Sequence, residues 1–411
     1  MSATPANVLI IGAGPAGASA ALFLAQKGIA CTIVDKESFP RDKICGDALS
    51  GKTVEVLNKL DKTLVPELAA DTKYLGSWGV TFVAPNGQAL RVPFQTKKEK
   101  TTAPGFIAKR IDFDNWLVEK VKANPLITLH ENTEVRHYRR EGNTIIAEAN
   151  NGNTYTTPLV IACDGAYSTF TKDIAGLKTE PEHNCFGLRA YYKNVQGLDA
   201  ENFIELHFLK EFLPGYFWIF PLPNGYANVG VGMRADKMHD KKVNLKKSFE
   251  SILQNNPVMR QRFAGAEKAG EVKLFGLPMG SKKRILSGNN YMLCGDAGML
   301  IDPFTGEGIG NAMFSGYYAA AQAGRCIQQN NYSAAFMQGY DKELYHRLWS
   351  ELLLSYRMQQ LVNFPWLFNL VVRKANSNKL LSETISCMFE DLDMRARLKD
   401  PRFYMQLLFS K

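Results

Sequence analysis

Two clusters of glycines and acids, far apart in the chain, have the residue types and spacing to hold a phosphorylated cofactor. The first, Gly12-Ala13-Gly14-Pro15-Ala16-Gly17, follows the short β-branched run Val8 to Ile11 and opens an apolar stretch of helical spacing that closes at Gly28. In such a motif the first glycine makes the tight turn and the second lets backbone approach a pyrophosphate. The third lets helix and strand pack closely. The helix N-terminus then presents unpaired N–H groups to the phosphates. Asp35, 18 residues after Gly17, closes the next expected strand, where a carboxylate can accept hydrogen bonds from the adenosine ribose. Lys36 and Arg41 follow as further candidate cofactor ligands.

The second cluster is Cys294-Gly295-Asp296-Ala297-Gly298, followed by Asp302-Pro303-Phe304-Thr305-Gly306-Glu307-Gly308-Ile309-Gly310. The apolar run before it delivers Asp296 to a strand end. The glycines around 306 to 310 start a helix whose N–H groups can face an electron-rich ring edge. A nicotinamide dinucleotide has no need of this second cluster, whereas FAD, with its ribityl chain and isoalloxazine, does. FAD is the expected cofactor.

These clusters must be positioned by a sizeable scaffold. The 411 residues, 45% hydrophobic and 22% charged, suit two or three compact units. The net charge of +9 is spread without a long basic run, so it reads as a solvated basic surface or as attraction to anionic lipid, and no motif supports nucleic-acid binding. Seven cysteines without a CxxC pair, and six histidines without metal spacing, argue against a disulfide framework or metal site. No basic segment precedes the first apolar run, and the best late apolar stretch, 361 to 372, carries Asn363, Pro365 and Asn369. The expectation is a cytoplasmic protein without a membrane span.

The expected fold class is α/β: a Rossmann-type cofactor domain with an inserted antiparallel β-sheet domain and a C-terminal helical region. The cofactor domain is expected in three pieces, 1–75, 105–175 and 285–330. The inserted substrate domain takes 76–104 and 176–284, and the helical region 331–411. Asn86-Gly87 marks a hairpin turn in the first insertion because both positions tolerate positive φ. Pro223-Asn224-Gly225 separates two strand-like runs in the second, which should join the first in one sheet. A helix is expected from Asp112 to about Ala123, then strands near 127–130, 134–139, 145–149 and 159–163 that return to the cofactor domain.

The glycine motif, Arg110-Ile111-Asp112-Phe113-Asp114-Asn115-Trp116-Leu117, Cys163-Asp164-Gly165-Ala166-Tyr167-Ser168 and Gly295-Asp296-Ala297 occur together in order. They resemble the FAD-binding superfamily of para-hydroxybenzoate hydroxylase. Within it, the segments 40–46 and 216–222, ahead of Val229-Gly230-Val231-Gly232, resemble the geranylgeranyl reductase family. That resemblance implies a flavoprotein saturating carbon–carbon double bonds of long isoprenoid lipids. It implies that Asp35 holds the adenosine ribose, Arg110 lies near the phosphates and Val135 offers backbone to the adenine. Cys45 and Gly46 would border the ring system, and Asp164 and Asp296 would complete the cofactor site. Gly308 and Ile309 would give N–H groups to the isoalloxazine, and Tyr216, Trp218, Phe220 and Pro221 would line the substrate cavity. Where the superfamily carries an arginine after the Asp164 motif this chain has Thr171, so the electron donor stays open between NAD(P)H and a reduced protein.

Cys45 reads either as a small buried hydrophobe or as the proton donor that an isolated alkene requires beside the flavin. Lys43 reads as a solvated side chain. Trp218 and Phe220 share one face of a strand, as either a cavity wall or a plain core would need. The expected partner is an apolar prenyl lipid, with peripheral membrane contact through the aromatic and basic tail around Trp349, Phe364 and Trp366. Two other functions stand beside the reductase: a flavin monooxygenase or halogenase, and a lipid-binding flavoprotein without turnover.

Overall fold

The computed structural model describes residues 4–94, 102–378 and 381. At its centre is a six-stranded sheet in the order Ser287–Gly288, Tyr291–Leu293, Val160–Ala162, Leu9–Ile11, Cys31–Val34, Ile127–His130. All but the Ser287–Gly288 edge run parallel. The three strands from Tyr291, Val160 and Leu9 are buried along their whole length, so they read as short unbroken apolar runs and not as alternating ones. The Pro15–Gln26 helix follows the Leu9–Ile11 strand and packs against the Ile309–Gln329 helix. Their approach is close: a Cβ on Gly316 would lie 2.3 Å from the Ala16 carbonyl oxygen. This is an α/β protein in which both glycine clusters sit at the C-terminal ends of parallel strands.

The expected strands between 134 and 149 do not return to this sheet. Val135–Glu141, Thr144–Ala149 and Thr154–Thr157 pair with one another as an antiparallel meander, joined by Thr4–Pro5. Gly142, at φ +57, turns the chain back too tightly for a parallel crossover.

A seven-stranded sheet takes strands from two distant segments. Its order is Glu267–Pro278, Asn184–Lys193, Tyr226–Arg234, Tyr216–Leu222, Ile204–His207, Gly79–Val83, Ala89–Pro93. Ile204–His207 pairs parallel with Gly79–Val83, and that pairing joins the segments. The turn between Gly79–Val83 and Ala89–Pro93 is wider than the Asn86-Gly87 pair suggests. Only Gly87 of the pair takes positive φ (+83), Ala84 N–H donates to the Gln88 carbonyl, and Asn86 Oδ1 accepts from Gln88 N–H. The tight turn stands instead at Asn224 and Gly225, with φ of 60° and 71°.

The expected helix at Asp112 starts at Arg110 and runs to Lys122, because Arg110 and Asp114, one turn apart, form a buried ion pair at 2.6 Å. Beyond it the Ala334–Leu361 and Pro365–Ser377 helices cover the sheets, burying Tyr340, Leu344, Leu348 and Leu352 in the central core and Phe368 and Val372 against the large sheet. The rest of the expected helical region lies outside the described residues. No described helix is long and apolar enough to cross a membrane.

Candidate active site

The first glycine turn divides its labour by geometry. Gly12, at φ +97, would place a Cβ 2.5 Å from the Cys163 carbonyl oxygen, and a Cβ on Gly17 would lie 1.9 Å from the Gly12 oxygen. Both are packing glycines. A Cβ on Gly14 would meet only Arg41 Nη2, at 3.5 Å, so this position faces an open cleft. The Pro15–Gln26 helix starts at Gly14 without a side-chain cap, and its first-turn N–H groups are the ones an anion would use. Asp35, 7% exposed, braces the turn by accepting from Ala13 N–H at 2.7 Å and Glu37 N–H at 2.9 Å. Gly12, Gly14, Pro15, Ala16, Asp35, Lys36 and Val135 line the cleft, while Gly17 stands behind it.

The second cluster reaches the same cleft from the opposite side. The Tyr291–Leu293 strand carries the chain to Asp296, whose Oδ2 lies 3.1 Å from Lys43 Nζ. Lys43 also lies over the Phe275 ring at 4.9 Å, so it is a fixed bridge and not the solvated side chain its sequence context suggests. The Ile309–Gln329 helix starts at Gly308 without a side-chain cap from that residue. Glu307 Oε1 instead accepts from Gly310 N–H at 2.7 Å and from the Ser50 hydroxyl at 3.0 Å. Gly308 and Ile309 line the cleft.

Between the clusters stand Arg41 and Arg110, both held by Asp114. Arg41 Nη1 reaches Asp114 Oδ2 at 2.9 Å, and Arg110 binds both carboxylate oxygens at 2.6 and 2.7 Å. Asp114 is 1% exposed, so one buried acid sets two cations beside the Gly14 turn. Asp164 lines the same cleft with its Oδ1 buried and unpartnered. Burial pushes its carboxyl up to about 6 against a hydrogen bond from Ser168.

Cys45 lines the cleft on the loop that carries Arg41 and Lys43. Burial pushes its thiol up. The Arg110 guanidinium opposes that rise, and the Asp47 carboxylate adds to it. The thiol is therefore the protonated form at neutral pH. Gly46 beside it allows close approach of the wall: a Cβ there would lie 2.9 Å from the Phe220 ring.

That wall is one face of the Tyr216–Leu222 strand. Tyr216, Trp218 and Phe220 line the cleft together with Phe94, Ile204, Leu277 and Ile301. Trp218 is fixed by its Nε1–H to Asn228 Oδ1 at 2.9 Å. Pro221, next in the strand, projects to the other face and does not line the cleft. The whole cleft holds about 530 Å³ and runs without interruption from the Gly12 turn to the aromatic wall.

These features fit FAD. There are an uncapped helix start at Gly14, a glycine whose missing Cβ opens the turn, paired arginines beside it and an orphaned buried carboxylate oxygen. Reasoning from the sequence overlooked Lys43, Asp47, Asp114, Asn228 and Glu307 as site residues. Asp114 had a readable signal, four residues after Arg110. Lys43 and Asn228 had none, since their partners lie in remote segments.

Residues 5–327 match the family model for the FAD binding domain. The digeranylgeranylglycerophospholipid reductase of Thermoplasma acidophilum is 29% identical over 355 residues, covering 83% of each chain. The menaquinone reductase of Mycolicibacterium smegmatis is 29% identical over 331 residues, covering 77% of this chain and 76% of that one. Among solved structures, a geranylgeranyl bacteriochlorophyll reductase-like protein from Thermoplasma acidophilum superimposes with a TM-score of 0.79. It is 24% identical and is covered to 96%, against 94% of this chain. A flavin-dependent brominase shares the fold at a TM-score of 0.73 and 19% identity, over 98% of this chain and 99% of its own. With the expected fold, cofactor and family resemblance met by these findings, the chain belongs to the FAD binding domain family and is an FAD-dependent oxidoreductase.

Proposed function

We propose that the protein saturates carbon–carbon double bonds of an isoprenoid or other long apolar lipid. The observation that carries this reading is the single cleft, polar and glycine-rich at one end and walled by Tyr216, Trp218 and Phe220 at the other. The relatives named above are reductases, and both substrates in their names carry isoprenoid chains. When bound and reduced, FAD supplies hydride.

The chain's own residues supply the rest. Gly12, Gly14, Pro15, Ala16, Asp35, Lys36, Arg41, Arg110, Val135, Asp164, Asp296, Gly308 and Ile309 hold and orient the cofactor, and Gly17 sets the helix behind it. The aromatic wall seats the alkene and excludes water. Cys45 gives the proton that must accompany hydride addition to an unactivated double bond. In this reading residues 1–75, 105–175 and 285–330 form the cofactor unit, and 76–104 and 176–284 form the substrate unit. NAD(P)H or a reduced protein is the electron source. Phe364 and Trp366, 55% and 68% exposed, are the contact to a lipid surface.

Turnover under argon tests the reading. Photoreduced FAD-loaded protein mixed with a geranylgeranyl lipid should reoxidise its flavin while the lipid gains two hydrogens for each bond reduced. Reoxidation only on admitting oxygen, with an oxygenated or halogenated product, would establish a monooxygenase or halogenase instead. Lipid binding with no reoxidation under either gas would leave a flavoprotein that carries lipid without turnover.

A further inference from the structure

The face of the seven-stranded sheet that meets the cleft carries its side chains in rows across the strands. In one row Tyr216 stands opposite Gly232, Gly232 opposite Gly187, and Gly187 opposite Phe275. Residues paired in register point to the same face, so between the two rings this row holds only glycines. In the next row Trp218 is pinned to Asn228, whose Nδ2 also donates to the Cys45 carbonyl at 2.7 Å. Tyr216 is held from a different side. Its hydroxyl donates to the Thr305 carbonyl at 3.3 Å, and a Cβ on Gly306 would lie 2.9 Å from that hydroxyl oxygen. The backbone just before it is packed too closely to carry the ring aside: a Cβ on Gly215 would lie 2.5 Å from the Phe212 ring and 2.6 Å from the Gly232 carbonyl oxygen.

Tyr216 and Leu277 line not only the cleft but also a second cavity of about 30 Å³, walled by Phe208, Met233, Met279 and Phe304. Its charged members, Arg234 and Lys237, are paired with Asp236 and Asp240. That cavity in turn shares Pro214, Val362 and Asn363 with a surface groove of about 540 Å³, which reaches Pro365 between the exposed Phe364 and Trp366. We propose that the Tyr216 ring is the end wall of the apolar part of the cleft and sets the length of isoprenoid chain the protein accepts. The proposal rests on the reading that this part of the cleft takes a prenyl chain. Side chains that line two cavities are what separates them. Of the two, Leu277 stands beside Cys185 in register, whereas Tyr216 stands beside glycine, so no side chain in its row covers the gap its loss would leave. Removing the ring joins the cleft to the small cavity and, through it, to the groove. Met233 and Met279, unbranched and flexible, repack around a chain that passes.

Binding of farnesol, geranylgeraniol and hexaprenol to the FAD-loaded full chain, followed by the change in flavin absorbance, reads the wall without turnover. In the wild type the affinity should stop rising within this series, because isoprene units beyond the wall gain no burial. In Tyr216→Ala it should keep rising to hexaprenol, by about tenfold or more for each added unit. Tyr216→Phe keeps the ring and should level off at the wild-type length. Levelling off of Tyr216→Ala where the wild type does, in protein that retains its FAD, overturns the proposal, as does a wild-type affinity that rises all the way to hexaprenol. Tyr216→Leu, which shortens the wall but keeps it apolar, carries the same test if Tyr216→Ala does not fold. The expected binding pattern without any lipid reduction under argon would overturn the reductase reading and leave the role of Tyr216 standing. Binding of no prenol by the wild type would overturn both.

Discussion

Lys43 Nζ lies 3.1 Å from Asp296 Oδ2, so two residues 253 positions apart close the cleft as an ion pair. The side chains are 23% and 18% exposed, which places the pair between a surface bridge and a buried one. Lys43→Met should weaken FAD binding by about fivefold, corresponding to about 1 kcal/mol. The difference should shrink in high salt. Titration of apoprotein with FAD, followed by flavin fluorescence, checks both.

The glycines of the first turn should separate by phenotype. Gly17→Ala forces a Cβ into the Gly12 carbonyl and should cost about 3 kcal/mol or more, seen as a lower Tm. Gly14→Ala meets only the end of the Arg41 side chain. It should keep stability within about 1 kcal/mol and instead weaken FAD binding by about tenfold or more, because the methyl group occupies the path of the cofactor.

Lys52 is fully buried among Glu351 at 2.8 Å and Asn311 at 3.2 Å, with Glu307 and Asp302 acting on it from the second cluster. Lys52→Met takes away the cation that faces Asp302 and Glu307 and that Glu351 shares with Arg347, and should cost about 3 kcal/mol in urea unfolding. Adding Glu351→Leu should recover part of that loss.

Asp164 gives a pH signature opposite to that of a salt-bridged carboxylate. Burial raises its folded value to about 6, above the ordinary 3.8, so the folded state holds the proton more tightly. Stability from this group is fully present below the ordinary value and is lost as pH rises toward 6. Relative to the wild type, Asp164→Asn should therefore gain about 1 kcal/mol on moving from pH 5 to pH 7. Urea unfolding of both proteins at the two pH values measures the gain.

Phe364 and Trp366 bracket the start of the Pro365–Ser377 helix and are largely exposed. Replacing both with Ser should reduce co-sedimentation with phosphatidylglycerol vesicles by about tenfold or more. Melting behaviour and FAD content should stay those of the wild type.

The local rules of this chain are legible in its letters. Gly12 to Gly17 between an apolar strand and an apolar helix, Asp35 at the next strand end and the Asp296 to Gly310 cluster dictate strand–turn–helix geometry through backbone sterics and helix-end polarity, which act within a few residues. That is why the α/β class, the cofactor and the family resemblance could be read without coordinates. The tertiary structure decided what depends on contacts across hundreds of positions. Lys43 meets Asp296, one Asp114 holds two arginines, and Asn228 ties the Cys45 carbonyl to Trp218. A solvated lysine and a bridging one share the same letter. What separates them is burial and the charge the fold brings opposite, and neither is a property of neighbouring sequence.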